Sequence, residues 1–246
     1  MKTYQDFLAV GKDDKARMSF ILGAINEYKA DHSTRLAANA NKYYHGENPT
    51  INKYEKIIYD MQGKAHRDMY TANHKIASKF FGLVVDQEVS YLLGNGVSFQ
   101  KPETEKALGA TFDEDIMDAA RHALIDGQSF VFWNLDHVQV FAAEEFVPLY
   151  DEEDGSIKAG IRFWQVADNK PLRATLYELD GYTEYLKPKS DDMAILKPKR
   201  AYKLKLRTSE ADGTEIYDGE NYPGFPIIPL KDRKSTRLNS SHLGIS

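Results

Sequence analysis

His122 and Asp126 lie four residues apart, a spacing that puts an imidazole and a carboxylate on one face of a helix. Such a pair can orient a general base, although helix-surface pairs of this kind are common without catalysis. His66 and His74 are eight apart, which matches no metal spacing, and no third ligand stands near them. Gly94-Asn95-Gly96 lacks the preceding strand, the third glycine and the following helix of a dinucleotide loop, so it reads as a helix stop. Gly11-Lys12 and Gly63-Lys64 are followed by Asp and Ala, which excludes a Walker-type phosphate loop. Asp151-Glu152-Glu153-Asp154-Gly155 invites a calcium reading, but Lys158 and Ile161 fall where oxygen ligands belong, leaving a solvated hairpin tip. Lys187, Lys189, Lys197, Lys199 and Arg200 bracket Ser190-Asp191-Asp192 and form the one plausible phosphate-contact surface, read as an exposed loop of mixed charge. The sequence therefore predicts no catalytic residue, no metal site and no cofactor.

The elements that would carry these residues divide the chain into a helical part, 1–126, and a β part, 127–230, with no repeat and no clear linker between them. Asp13 or Asp14 caps a helix bearing Met18, Ile21, Leu22, Ile25 and Tyr28 at helical spacing. A second helix starts at Asp31 or Ser33 and ends at His45-Gly46, while residues 50–72 show apolar pairs such as Ile57-Ile58 without a clear period. Asn73 is expected to cap a helix to about Leu93. It is apolar on two faces, with Ile76, Phe80, Leu83, Val84 and Tyr91 on one and Phe81, Val85, Val89 and Leu92 on the other. A soluble helix of that kind is buried between neighbours or against another subunit, so Phe81, Val85, Val89, Tyr91 and Leu92 are candidates for packing within or between subunits. Val97–Gln100 reads as a short strand and Phe112–Ile125 as a helix whose acidic first turn suits its dipole.

From Gly127 the period becomes two. Ser129–Trp133, Val138–Ala142, Ile157–Val166, Ala174–Leu179, Thr183–Leu186 and Tyr202–Arg207 read as strands. Asp-Gly pairs at 154–155, 180–181 and 212–213 favour tight hairpins. The fold class is α+β: helices first, then an antiparallel meander. Aromatic residues such as Phe130, Phe132, Phe141, Phe163 and Tyr177 lack the glycine and basic partners of an RNA-binding sheet and are assigned to packing.

Composition narrows the function further. With 42% hydrophobic and 28% charged residues the chain is that of a folded globular protein, and zero cysteines exclude disulfides and thiolate chemistry. Met1–Val10 is no signal peptide, and Lys79, Asp86 and Glu88 interrupt the most apolar stretch, which argues against a membrane span. The net charge of −5 disfavours a surface that coats nucleic acid, so any DNA contact is expected to be loose. The last segment, KDRKSTRLNSSHLGIS at 231–246, has crowded charges and then an aperiodic Ser/Asn run, and closely resembles the translation of a sequencing adapter. Treated as non-native, it leaves 28 basic against 36 acidic residues, a net −8. On that reading the chain breaks off after Leu230 and leaves Phe225, Ile227 and Ile228 uncovered, which predicts aggregation or partial assembly of the fragment.

Several segments, in order, resemble the portal proteins of long-tailed phages that infect Gram-positive hosts. Tyr43-Tyr44-His45-Gly46 followed by Ile51 is similar to an early family step. Asn73-His74-Lys75-Ile76, leading to Val85-Asp86-Gln87-Glu88-Val89-Ser90-Tyr91-Leu92-Leu93-Gly94, resembles the family's "N-K-I … IVD-x-x-V-x-YLLG" signature most closely. Ala123–Ser129 resembles the helix-to-strand step into the portal wing. Glu144–Asp151 and Ala159–Trp164 resemble its strands, with Trp164 where Tyr is commoner, and Gly224–Pro229 resembles the strand that leaves the wing. The resemblance implies a structural ring subunit, usually one of twelve, at the capsid vertex of a virion assembled in the host cytoplasm. It also implies terminase, capsid or scaffold and head–tail connector proteins as partners, double-stranded DNA passing through the channel, and a stem, clip and crown beyond residue 230. Lys187, Lys189, Lys197, Lys199 and Arg200 are then the candidate DNA contacts. Two alternatives remain: a phage-encoded α+β nuclease or hydrolase, needing a His or carboxylate constellation, and a monomeric binding module, showing no self-association.

Overall fold

The computed structural model describes residues 1–135, 137–208 and 215–232. Three short helices open the chain, each started by a side chain that accepts an otherwise orphaned backbone N–H. Thr3 caps α1 (Tyr4–Val10) through a reciprocal capping box with Asp6. Asp13 caps α2 (Asp14–Ala30), accepting from Ala16 N at 3.0 Å, and Asp31 caps α3 (His32–Tyr44), as the pattern predicted. Next come α4 (Pro49–Lys53) and a two-stranded hairpin of β1 (Ile57–Tyr59) and β2 (Ala65–Arg67).

The next helix, α5, begins at Phe80 and ends at Leu93, seven residues later than the cap expected at Asn73. The Asn73 amide instead donates to the Tyr54 carbonyl at 3.0 Å, and this competing bond ties residue 73 to the α4–β1 connection. The strand expected at Val97–Gln100 is also absent. Val97 N donates to the Asp113 carboxylate at 3.0 Å, and Phe99 packs edge-on against Phe112, so the segment is spent on the helix that follows. After α6 (Pro102–Leu108), α7 (Phe112–Asp126) runs to Gly127, whose left-handed backbone closes the helix.

Ten strands follow. β3 (Gln128–Asn134), β4 (His137–Ala142) and the last strand, β12 (Ile227–Lys231), form an antiparallel sheet in the order β12-β3-β4. A five-stranded meander is built from β5 (Phe146–Tyr150), β6 (Ile157–Trp164), β7 (Leu172–Glu178), β8 (Gly181–Lys187) and β9 (Ala194–Arg200). β10 (Lys203–Thr208) pairs with β11 (Glu215–Glu220), and the Asp212-Gly213 turn lies outside the described residues. The β7–β8 turn needs glycine: Gly181 has φ +135°, and a Cβ there would collide with the Arg200 carbonyl. Three prolines sit in strands, Pro148 in β5, Pro198 in β9 and Pro229 in β12, and all three strands are sheet edges. An edge is where a missing N–H costs no ladder bond.

The meander is covered on both faces. On one, Val147, Leu149, Ala159, Ile161 and Leu176 meet Phe7, Ile21, Ile25 and Tyr28 from α1 and α2. On the other, Phe146 and Tyr177 meet Phe130, Phe132 and Phe141 of the three-stranded sheet, with Tyr202 and Ile227 closing the cluster. The Phe130 and Phe146 ring centroids are 4.5 Å apart, and both side chains are fully buried. Burying each such ring stabilises the fold by about 1.5–3 kcal/mol. α7 backs the three-stranded sheet, where Ser129 Oγ donates to the Ala119 carbonyl at 2.7 Å, and α3 and α5 pack on α7. The layers are thus helices, sheet, sheet, helices, an α+β arrangement.

Ile227 is buried against β3, which corrects the expectation that it lies uncovered; Ile228, on the opposite face of the strand, is exposed. Lys231 pairs with Gln128 at the end of the same strand.

Packing of the aromatic layer depends on Gly160, because a Cβ there would come within 2.1 Å of the tip of the Phe146 ring. Gly160→Ala is expected to cost about 1–3 kcal/mol, read by urea denaturation, while Gly224→Ala, with open space around it, should leave the midpoint within error.

Candidate functional site

The helix pair picked out in the sequence is part of a larger polar cluster. Asp126, at the end of α7, has a side chain with no solvent exposure, and its Oδ2 lies 3.6 Å from His122 Nδ1. That distance is too long for a hydrogen bond, so the attraction is chiefly electrostatic; Asp118 lies 3.9 Å from the other ring nitrogen. Asn41 on α3 donates from Nδ2 to Asp126 Oδ1 at 2.6 Å and to Glu144 Oε1 at 2.8 Å. One amide thus holds two carboxylates together, from α7 and from the short 3-10 turn Ala143–Glu145. Beside it, the Tyr28 hydroxyl donates to the Ala143 carbonyl at 2.8 Å and is buried, which pushes its pKa up.

The Asp126 carboxylate raises the proton affinity of His122 against the opposing effect of burial, with Asp118 and Glu145 adding to it. Burial raises Glu144, partly offset by the Asn41 bond and reinforced by Asp126. These groups join α3, α7 and the turn ahead of β5, and they face each other. Their chemistry is that of a polar clamp between layers, with the His–Asp pair built into it.

The five cations at 187–200 come to one edge of the meander, on β8, β9 and the loop between them. Expected as an exposed loop, the segment 194–200 is a strand: Tyr182 of β8 stands opposite Arg200, and Glu184 pairs with Lys197 at 2.9 Å. Lys199 is paired with Glu178 at 3.0 Å and with Asp180. These intrachain pairs neutralise part of the positive edge. The acidic segment 151–155 is a hairpin tip as expected, held to the first helix by Thr3 and Gln5 rather than arranged around an ion.

Gly94 ends α5, and Gly96 N donates to the Leu93 carbonyl at 2.9 Å, the helix stop expected there. His66 contacts Asp60 across the β1–β2 hairpin at 2.9 Å, and His74 lies in a hollow with Ile51 and Ile76. Among the described residues no group of three or more His, Asp or Glu side chains is placed to hold a metal ion. No helix among them is long and apolar enough to cross a membrane.

α5 divides its apolar residues sharply. Val85 and Val89 are buried within the chain against Ile125, with Tyr44, Met117 and Leu124 around them. Tyr91 is 90% exposed and Leu92 60% exposed, and Phe81 sits at the border of the buried face. Phe80 and Leu83 also face solvent. A groove of about 590 Å³ runs along the start of the helix, lined by Tyr44, His45, Lys79, Phe80, Leu83 and Asp86. Sequence reasoning missed the exposed residues of the β1–β2 segment, Tyr59, Met61, Met69 and Tyr70. The apolar pairs without a period at 50–72 were the available signal.

A family model described as "Phage portal protein, SPP1 Gp6-like" matches residues 25–239. No curated protein matches the chain.

The polar clamp has a measurable signature. Asn41→Ala should cost about 1.5–3 kcal/mol, as expected for hydrogen bonds to charged groups. Glu144 and His122 both have raised folded-state pKa values. Each therefore contributes stability that is full below its unfolded value, 4.5 for Glu and 6.5 for His, and is lost as pH rises through the folded value. Denaturation midpoints should fall with rising pH across both windows. Glu144→Gln should flatten the lower window and His122→Gln the upper.

Proposed function

The chain belongs to the SPP1 Gp6-like phage portal protein family, and from that premise we propose that it is a wing-forming subunit of a closed homo-oligomeric ring at the capsid vertex. Portal proteins of this family are structural components of the phage particle, and a structural role accords with the clamp-like use of the His122–Asp126 pair. In the proposed reading the ring is the conduit for DNA during packaging and ejection, and a platform for terminase and for head–tail connectors.

The observation that carries the assembly reading is the uncovered face of α5. A helix that buries Val85 and Val89 yet leaves Phe80, Leu83, Tyr91 and Leu92 to solvent carries apolar surface that the described residues do not cover. Contiguous exposed apolar surface marks an interaction site. Phe81, Tyr91 and Leu92 are the residues proposed for contact between subunits, while Val85 and Val89 support the helix from within. DNA contact is assigned to Lys187, Lys189, Lys197, Lys199 and Arg200, and the ion pairs of Lys197 and Lys199 favour contacts loose enough for DNA to move.

Light scattering and negative-stain microscopy of the purified chain test the reading, with closed rings as the expected outcome. Tyr91→Asp and Leu92→Asp should prevent assembly while moving monomer stability by only about 0.5 kcal/mol. Val89→Asp, which buries a charge, should unfold the helix layer at a cost of several kcal/mol. A compact monomer at all concentrations would instead favour a binding module.

A further inference from the structure

Residues 47–78 leave the body of the protein and return to it at one place. At the root, a Cβ on Gly46 would meet the Lys79 side chain at 2.7 Å, and one on Gly82 would meet the Tyr44 carbonyl oxygen at 2.9 Å. The outgoing and returning chains therefore run side by side, closer than side chains at those two positions would allow. Between them the segment is bonded mainly to itself. Asp68 N donates to the Lys56 carbonyl at 2.8 Å, Lys75 Nζ to the Asn52 carbonyl at 2.6 Å, and Arg67 pairs with Glu55 at 3.3 Å.

No residue of 47–78 belongs to any of the three apolar clusters of the fold, and all six residues of β1 and β2 are exposed. A lone two-stranded hairpin is marginally stable in water at best. This one carries Met61 fully exposed at its turn, with Tyr59 and Tyr70 at 72% and 91% exposure. Such an arm is stabilised when something outside the chain covers it.

We propose that this arm lies on the α5 face of a neighbouring copy, with its apolar tip seated in the groove beside Phe80 and Leu83. This rests on the ring reading above and names the contact that joins one subunit to the next. The chain supplies both halves: an uncovered apolar arm and an uncovered apolar helix. The net charges are of opposite sign, since the arm has five cations against four carboxylates and α5 carries two carboxylates and no basic residue of its own, one of them, Asp86, held by Arg121 of α7 at 3.3 Å. Aromatic residues bury about 150–250 Å² each. Tyr54, Tyr59 and Tyr70 with the neighbouring Ile and Met side chains therefore bring the arm to the order of the roughly 800 Å² per partner of a stable interface. Arm to helix is a head-to-tail contact between two different surfaces, the type that closes into rings.

The absence of cysteine makes the test direct. Met61→Cys and Leu83→Cys chains, prepared separately and mixed, should give a dimer with a short bis-maleimide, and the double variant should give a ladder of multimers. Light scattering on the same samples reads assembly independently. Assembly without the mixed cross-link would overturn the arm contact and leave the ring reading standing. Cross-linking of the Met61→Cys chain to itself would overturn it in favour of arm-to-arm pairing. Purely intramolecular cross-linking in the double variant would show that the arm folds back on its own helix, which also overturns it. Absence of any assembly would overturn both readings. As a second variant, Met61→Asp with Tyr59→Asp should reduce assembly several-fold without moving the melting transition, because neither side chain packs in a core cluster.

Discussion

The fold depends on a layer of aromatic rings between two sheets, and that layer depends on one missing side chain. The tip of the Phe146 ring reaches over Gly160 on the neighbouring strand, into the space a Cβ would take. From there Phe130, Phe141, Phe132, Tyr177 and Tyr202 follow in a continuous set of ring contacts. Packing at this density responds to the addition of even one methyl group. The layer also explains why distant parts of the chain must meet. Tyr202 and Ile227 complete it from beyond the meander, so the second face of the five-stranded sheet closes only when the last strand has paired with β3.

The helices solve a different problem, that of joining layers through polar groups. Arg162 illustrates it on the sheet side, with its guanidinium 4.4 Å from the Phe141 ring centre and 4.9 Å from that of Trp164. A cation held over ring faces this way gains from their electron density while its stem packs among aromatic rings. On the helix side Asn41 does comparable work as a neutral donor between two carboxylates. Neither residue contributes to the apolar pattern, yet each fixes the orientation of elements that apolar packing alone would let slide.

Much of the architecture was legible in the sequence. Asp13 and Asp31 announced their helices because capping is local chemistry, and β3, β4, β6, β7 and β8 showed a period that belongs to a single strand. What was not legible depended on partners far along the chain. The apolar run from Asn73 gave no sign that its first seven residues are non-helical, since the competing bond goes to Tyr54. β9, rich in Lys and broken by Pro198, looks like a loop unless Glu184 and Tyr182 are known to stand opposite. The division of α5 into a covered and an uncovered face was invisible for the same reason: Val85 and Leu92 are equally apolar in sequence, and only the positions of α3 and α7 distinguish them. The family resemblance reached further than the pattern did, because a motif carries the outcome of such distant contacts without displaying them.

The prolines in β5, β9 and β12 bear on how the protein avoids the wrong partners. An unpaired strand edge is a template on which another chain can grow a sheet, and a subunit made in many copies meets itself constantly. With both ends of the meander interrupted by an imino acid, templated fibre growth from that sheet is obstructed from the moment it forms. Contact between copies is thereby turned away from the two ends of the meander and left to side-chain surfaces elsewhere on the fold.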